Sequence, residues 1–217
     1  TQNRILDETH VFEAINNASD DFLEGAIGAG TGMRCNGFKS GIGSSSRVIK
    51  IKDKEYVIGV LVNSNYGASN GSELIFNGRR LGGLIKDYNL AHEEDKGSII
   101  IVVATNAPLD NRQLKRLAKR TELGVARTGS YGGHGSGDVM VAFSTVNKVL
   151  QSPSYMEESV IRFSDSYLNS FFKATVDATE EAILNSMLYA KPMKSYNGTK
   201  YKSLMEYKSL FEDLLEK

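Results

Sequence analysis

Four short segments rich in apolar residues predict the strands of a β-sheet. They are Arg47–Ile51, Tyr56–Val62, Ser98–Thr105 and Asp138–Ser144. The third, SIIIVVAT, is the most apolar and is β-branched at its centre, which favours a central strand. The second is nearly all apolar as well, as expected of a strand that is covered on both faces.

Helical spacing and turn signals account for most of the remaining chain. Asp110 with Gln113 three residues later resembles a capping box, and it predicts a helix whose inner stripe ends at Val125. Further helices are predicted over His10–Ala18, 155–172, Ala178–Tyr189 and Tyr201–Leu215. A turn at Asn77-Gly78 is predicted to join two weak strands, Glu73–Phe76 and Arg79–Leu81. A polar loop is predicted over 86–97, and a second turn at Asn197-Gly198.

The order of these elements favours the α+β class. Strands dominate the first two thirds of the chain and helices flank them, so helix and sheet are expected to form separate layers. A doubly wound parallel sheet would need regular alternation of strand and helix, which is missing in residues 45–105. We therefore expect one layered domain over residues 1–217.

Composition and charge exclude several classes of protein. Lys and Arg number 26 and Asp and Glu also number 26, so the chain lacks the basic excess of a nucleic-acid-binding protein. The single cysteine, Cys35, excludes an internal disulfide framework and a zinc site built from cysteines. No apolar run approaches the ~20 residues that span a bilayer, and no leader is recognisable, which favours a cytoplasmic location. The chain does not begin with Met, so we expect it to be processed or to be part of a longer protein.

Glycine is the one compositional skew, and it gathers in residues 25–43 and 129–137. The stretch 28–33, GAGTGM, fits neither a dinucleotide fingerprint nor a P-loop, so we interpret it as a tight structural turn and predict no cofactor. The three histidines at 10, 92 and 134 form no pair at helical spacing, and no metal site is predicted.

Ser136 and Asp138 lie in the second glycine cluster, close to His134. A serine, a histidine and an acid within five residues permit a hydrolase in which His134 is the base. Such groups usually converge from distant loops, so the alternative is a turn in which Asp138 binds backbone N–H groups.

The junction Gly97-Ser98 permits a different chemistry. A serine after glycine can attack the preceding carbonyl and become a new N-terminus, whose α-amine (pKa ~7.7–8.0 when unperturbed) can then activate its own hydroxyl. The plain alternative is the start of a buried strand. Asn65, just past the strand Tyr56–Val62, can donate its amide to an oxyanion or can form an Asx-turn.

Longer motifs in a fixed order resemble one known family, the DmpA-type self-processing hydrolases, which include L-aminopeptidase/D-amidase/D-esterases and β-peptidyl aminopeptidases. The motifs read EGAIGAGTGMRCNGFKSGIGSSSR over 24–47, GVLVNSNYG over 59–67, GSIIIVVATNAPL over 97–109, QLKRLAKR over 113–120, LGVARTG over 123–129, SGD over 136–138 and AFST over 142–145. The match covers nearly the whole chain and is weakest in the C-terminal helices.

The resemblance implies an αββα sandwich similar to that of N-terminal-nucleophile hydrolases, without metal or cofactor. It implies cleavage between Gly97 and Ser98 into an α-part, 1–97, and a β-part, 98–217, that stay together. Ser98 is then the nucleophile, Asn65 the oxyanion donor, and Ser136 with Asp138 the supporting pair; His134 is not part of the family motif. Family members have a further segment before the stretch that matches residues 1–18, so the sandwich is expected to be incomplete at the N-terminus.

These observations predict a self-processed aminopeptidase or amidase that acts on short peptides, amino-acid amides or esters. The resemblance further implies a homo-oligomer of processed heterodimers, and neither nucleic acid nor membrane is expected as a partner. Two alternatives stay open: an unprocessed serine hydrolase that uses His134, and a non-catalytic fragment with the same fold.

Overall fold

A computed structural model describes residues 5–85, 97–148, 156 and 159–215. The helices are α1 (Glu8–Asn16), α2 (Asn111–Arg127), α3 (Leu168–Leu188) and α4 (Glu212–Leu215). The strands are β1 (Arg34–Cys35), β2 (Phe38–Lys39), β3 (Ile42–Ile51), β4 (Lys54–Asn65), β5 (Ile75–Phe76), β6 (Arg79–Arg80), β7 (Ser98–Thr105), β8 (Val139–Ser144), β9 (Met193–Lys194) and β10 (Lys200–Tyr201).

The main sheet has four strands in the order β3-β4-β7-β8. β3, β4 and β7 are antiparallel neighbours, whereas β7 and β8 are parallel and are connected through α2. The other strands form three separate two-stranded hairpins. The sheet is therefore mixed and is not doubly wound, as the element order predicts.

One face of the sheet is covered by helices, and we call it the covered face. α3 packs across β3 and β4, and α2 packs on β8 and against α3. Side chains that alternate along β4 and β7 point into this layer, and they are at most 2% exposed: Ile58, Val60, Val62, Ile99, Ile101 and Val103. This interface forms most of the hydrophobic core.

The opposite face, which we call the open face, is also apolar but has no layer on it among the described residues. Its side chains come from the intervening positions of the same strands. They are 39–50% exposed at Leu61, Ile100, Val139, Val141 and Phe143. The described chain thus forms one sheet and one helical layer, half of the four-layer sandwich that the family resemblance implies.

Several predictions from the sequence agree with the structure. β7 has the predicted bounds, and the capping box of α2 is present in both directions between Asp110 and Gln113. The Asn77-Gly78 turn joins β5 and β6 with both residues at positive φ. β3 is longer than predicted, because Ile42 to Ser46 continue the pairing with β4 despite their polar sequence.

The predicted helix over 155–172 is wrong over residues 159–164 and confirmed over its last five residues, Leu168 to Phe172, which belong to α3. Residues 159–164 are not helical; Phe163 donates its N–H to the Pro108 carbonyl and packs its ring edge-on against Tyr56 and Phe171. Residues 155, 157 and 158 lie outside the described residues. Tertiary packing of one aromatic ring therefore overrides the helical spacing in this segment.

The predicted break before Ala178 is wrong as well, because α3 is continuous from Leu168 to Leu188. Thr175 and Thr179 donate their hydroxyls to carbonyls four residues earlier, so buried threonines are accommodated inside the helix.

The predicted helix Tyr201–Leu215 is replaced by β10, a 3₁₀ segment (Leu204–Leu210) kinked at Tyr207, and α4. The predicted loop 86–97 lies outside the described residues except for Gly97. Among the described helices, none has the length and apolarity needed to cross a membrane.

Candidate active site

Ser98 and Asn65 lie opposite each other at one end of the sheet. Ser98 is the first residue of β7, Asn65 is the last residue of β4, and the two are paired in the antiparallel register. Directly opposite side chains point to the same side of a sheet with Cβ atoms about 5 Å apart. Ser98 also shares its side with Ile100, so both polar groups belong to the open face.

The Ser98 hydroxyl is fixed by two backbone groups. Its Oγ donates to the carbonyl oxygen of Gly97 at 2.8 Å and accepts the N–H of Gly137 at 2.9 Å. The hydroxyl is therefore held next to the carbonyl that a self-cleaving serine would attack. Gly137 follows Ser136 in the second glycine cluster, so this cluster positions the serine.

Gly97 fits the junction because it has no side chain. A Cβ at this position would lie 1.9 Å from the carbonyl oxygen of Asn65, which is backbone and cannot rotate away. The residue before Ser98 is therefore held against the end of β4. Steric fit, not flexibility, accounts for this glycine.

Asp138 ties the start of β7 to the start of β8. Its Oδ1 accepts the N–H of Ile99 at 2.9 Å and the hydroxyl of Ser136 at 2.5 Å. The carboxylate thus contacts the residue next to Ser98 and fixes the rotamer of Ser136. The structure brings Ser98, Asn65, Ser136 and Asp138 to the same end of the sheet.

The amide of Asn65 has a defined orientation. Its Oδ1 accepts the N–H of Arg34 at 3.1 Å, and its Nδ2 donates to no residue of the described ranges. The donor end of the amide is therefore left for a ligand. This arrangement suits an oxyanion donor, and it differs from the Asx-turn that is the sequence-based alternative.

Tyr66 anchors the end of β4 from below. Its hydroxyl is hydrogen-bonded to the hydroxyl of Thr128 at 2.5 Å, just after α2. Burial, with Cys35 nearby, raises the pKa of the Tyr66 phenol well above its usual value, so the group is neutral and structural.

His134 is not bonded to this group of residues. Its side chain is exposed, and in the described part of the chain it makes no hydrogen bond to Ser136 or Asp138. A cleft of about 520 Å³ lies beside Ser136 and Asp138 and is also lined by Glu122, Tyr131 and Met140. No contact in the described residues therefore supports His134 as a base for Ser98 or Ser136.

No group of three or more potential metal ligands occurs among the described residues. His10 is used in the N-terminal cap of α1 with Asp7, and His92 lies outside the described residues. The glycine-rich stretch predicted as a tight turn contains a 3₁₀ turn at Gly28–Gly30.

Comparison with known proteins identifies the family. The model of Peptidase family S58 matches residues 1–201. This chain belongs to peptidase family S58. A beta-peptidyl aminopeptidase BapA from Sphingosinicella microcystinivorans is 41% identical over 204 residues, which are 87% of this chain and 51% of that protein. The chain spans about half the length of the curated relatives it matches.

Solved structures with the same fold also resemble this chain in sequence. The PH0078 protein from Pyrococcus horikoshii OT3 has a TM-score of 0.86 and 43% identity, over 95% of this chain and 56% of that one. The L-aminopeptidase D-Ala-esterase/amidase from Ochrobactrum anthropi, described as a variant of the Ntn hydrolase fold, has a TM-score of 0.85 and 34% identity over 97% and 58%. The predicted resemblance and the α+β, N-terminal-nucleophile-like fold class are confirmed.

Sequence analysis did not identify two backbone groups that complete the site of this S58 chain. The N–H groups of Gly137 and Arg34 hold Ser98 and Asn65, respectively. Backbone donors leave no residue-type signal in a sequence. Only the glycine-rich sequence around Gly137 and around Arg34 indicated that the main chain approaches other groups closely at these two positions.

Proposed function

We propose that this chain carries the nucleophile and oxyanion donor of a self-processing serine aminopeptidase. The observation that carries the proposal is the contact of the Ser98 Oγ with the Gly97 carbonyl, 2.8 Å from its oxygen, opposite Asn65. Membership of a peptidase family and the aminopeptidase names of its relatives support the same activity.

Processing begins with attack of the Ser98 Oγ on the carbonyl carbon of Gly97. The C–N bond of the peptide breaks, an ester forms between Gly97 and the Ser98 oxygen, and the hydroxyl proton passes to the departing amine. Water then hydrolyses the ester, which leaves a carboxylate on Gly97 and a free α-amine on Ser98. The tight fit of Gly97 against Asn65 holds the bond at the nucleophile.

Catalysis uses the same hydroxyl after processing. The α-amine of Ser98 accepts the hydroxyl proton, and the oxygen attacks the carbonyl of a substrate's N-terminal residue. Asn65 Nδ2 donates to the developing oxyanion, and the amine returns the proton to the leaving group. Water hydrolyses the acyl-enzyme, releasing the N-terminal amino acid. Asp138 holds Ser136 and the strand end next to the nucleophile, and its negative charge favours the protonated amine.

Mass spectrometry of the purified full-length protein tests the proposal directly. Two fragments separated before Ser98 are expected, and Ser98→Ala is expected to abolish both the cut and the hydrolysis of peptides, amides and esters. Ser144→Ala is the matched control, because its hydroxyl donates to Ala107 at the other end of the sheet. A Ser98→Ala protein that still splits at this bond would contradict the processing chemistry.

The alternative with His134 as base has its own outcome in this experiment. An intact chain that hydrolyses substrates and loses activity with His134→Ala would establish it, and an intact, inert chain would establish a non-catalytic fragment. No contact of His134 in the described residues supports the first of these alternatives.

Activity is expected to rise with pH as the Ser98 amine loses its proton. The unperturbed α-amine has a pKa of ~7.7–8.0, and only the neutral form accepts the hydroxyl proton.

We also propose short peptides, amino-acid amides or esters as substrates, a cytoplasmic location and a homo-oligomer of processed heterodimers. Light scattering of the processed protein tests the last point.

A further inference from the structure

Lys39 is a buried cation whose role the catalytic scheme leaves unexplained. Its side chain is 2% exposed, and no carboxylate of the described residues lies within ion-pair distance of its Nζ. Burying an ammonium group without a counter-charge is costly. Burial, with the nearby charge of Arg34, lowers the pKa of Lys39. The desolvation cost of the buried Lys39 ammonium indicates that this group has a specific role.

The ammonium group donates to two carbonyl oxygens of the first glycine cluster. Nζ lies 2.9 Å from the oxygen of Thr31 and 2.7 Å from the oxygen of Met33. Lys39 also stands opposite Arg34 in the β1–β2 hairpin, so its side chain reaches back over the segment that leads into β1. Lys39 thus holds the C-terminal part of the segment 28–33 through two of its carbonyls.

The Met33 carbonyl and the Arg34 N–H belong to the same peptide group. Because this group is planar and trans, its oxygen and its hydrogen point in opposite directions. The oxygen accepts the Lys39 ammonium at 2.7 Å and, at a longer 3.3 Å, the N–H of Ser40, and the hydrogen is donated to Asn65 Oδ1 with an N···O distance of 3.1 Å. Fixing one end of the peptide plane therefore fixes the direction of the other.

The rest of the cluster gives this peptide little freedom to move. Asn63, two residues before Asn65 on the same side of β4, approaches the Ala29 carbonyl at 3.5 Å. A Cβ on Gly30 would lie 2.7 Å from the Gly25 carbonyl oxygen and 2.8 Å from the Cα of Gly41. The glycines let the segment pack closely on its neighbours, and the N–H of Arg34, directly after it, reaches Asn65.

We propose that Lys39 is a positioning residue that orients the Asn65 amide through the Met33–Arg34 peptide group. With Oδ1 held by Arg34, the Nδ2 of Asn65 faces the substrate carbonyl; without that bond the amide can rotate and present its oxygen to a developing negative charge. The charge on Lys39 also polarises the peptide group and strengthens the N–H as a donor. This inference rests on the proposed function.

The kinetic test is Lys39→Met in the full-length protein, which keeps the length of the side chain and removes its donors. We expect kcat to fall about 10- to 100-fold while KM changes less than about twofold, because a misdirected amide weakens only the transition state. Lys39→Gln retains a donor group, and we expect its kcat to lie between those of the wild type and Lys39→Met. Ser40→Ala is the matched control, since it removes a neighbouring buried hydrogen bond between the Ser40 and Ser186 hydroxyls and leaves both contacts of the Lys39 ammonium in place.

A double-mutant cycle separates positioning from a general loss of stability. In an Asn65→Ala background, Lys39→Met should lower kcat no further, because the amide that it orients is gone. An equal loss in both backgrounds, or a kcat within twofold of wild type, would overturn the proposal.

A second readout does not depend on activity. The ¹⁵N–¹H signals of the Asn65 side-chain amide, assigned with Asn65→Asp, should shift in Lys39→Met and stay unchanged in Ser40→Ala. If the wild-type protein hydrolyses nothing, the proposed function fails and this measurement still decides the positioning role. If Lys39→Met does not fold, the Arg34 amide signal must move in Asn65→Ala, and an unmoved signal would refute the relay.

Discussion

Ile100 and Ile101 are neighbours in the same strand, yet they lie in opposite surroundings. Ile101 points to the covered face and is fully buried under the helices, whereas Ile100 points to the open face and is 50% exposed. The two faces have similar apolar side chains, and they differ in whether a helical layer is present. Apolar composition on both sides of β7 therefore predicts that both faces are buried. Among the described residues, only the covered face has a layer packed on it.

The open face is also the face with the candidate chemistry. Ser98 and Asn65 share it with Leu61 and Ile100, at the end of the same two strands. A layer that covered the apolar part of this face would border the site and help to shape its substrate pocket. The relatives, about twice as long as this chain, have room for such a layer.

The largest expected effect is on the covered side of this pair. Ile101→Ala should lower the free energy of unfolding by about 2–5 kcal/mol, because it leaves a cavity under the helices. Ile100→Ala should cost about 1 kcal/mol or less in this chain, because half of its surface is already in water. Urea denaturation of both variants measures the difference. Equal losses in this chain would show that the open face is already buried, and equal losses only in the full-length protein would locate the missing layer on it.

Gly97→Ala tests how tight the sheet is at the end with the candidate site. The new Cβ has to displace the Asn65 carbonyl, so we expect a loss of about 1–3 kcal/mol and much slower cleavage before Ser98. Gly83→Ala is the control, because a Cβ there meets no atom within 4 Å. Denaturation and timed mass spectra give the two readouts. Normal cleavage in Gly97→Ala would mean that the fit against Asn65 is not required.

A charge on the open face should have a smaller effect. Val141→Lys is expected to change stability by about 0.5 kcal/mol or less and to reduce the binding of an apolar dye. Ala142→Lys, one residue further along β8 and facing α2, should destabilise more, because Ala142 is partly buried against the core and a charge there loses part of its hydration. If both variants were equally stable, the assignment of faces in β8 would be wrong.

The smallest effect concerns an exposed ion pair at the edge of the covered side. Arg112 donates to both oxygens of Asp165, and this pairing, with Gln113, lowers the pKa of Asp165 from 3.8 to about 2. The unfolded chain therefore binds more protons between these values, and the stabilisation is present above pH 3.8 and lost as the pH falls through about 2.

The gap in urea midpoint between wild type and Asp165→Asn should accordingly be constant from pH 7 to pH 5 and close between pH 4 and pH 2. Asp53→Asn, in the turn between β3 and β4, is the control. A gap that persists at pH 2 would rule out the ion pair as its source.

Local signals in the sequence were sufficient for elements whose cause is local. The β-branched run of β7, the Asp110–Gln113 capping box and the Asn77-Gly78 turn each act within a few residues, and each element formed as predicted. The segment around Phe163 and the continuous α3 depend on contacts with distant residues. Their packing against Tyr56 and the sheet decides the conformation, and no local pattern records it.

The candidate site divides in the same way. Ser98 and Asn65 stand at the ends of strands whose bounds can be estimated from apolar runs, so their proximity follows from the sheet. Lys39 resembles a surface lysine in a glycine-rich stretch, and only the fold places it under the Met33 carbonyl. The backbone N–H of Gly137 has no signature in the sequence at all.

The pairing of β4 with β7 determines whether two polypeptides produced by a cut before Ser98 could separate. A cut before Ser98 would assign β3 and β4 to one polypeptide and β7, β8 and α3 to the other, with eight residue pairs from Ile58–Thr105 to Asn65–Ser98 crossing between them. Separation would mean breaking the β4–β7 ladder in the middle of the sheet and stripping α3 from β3 and β4. If the chain is cleaved there, we expect no exchange of the two polypeptides between molecules. Each active centre would then retain the two parts of the single chain from which it formed.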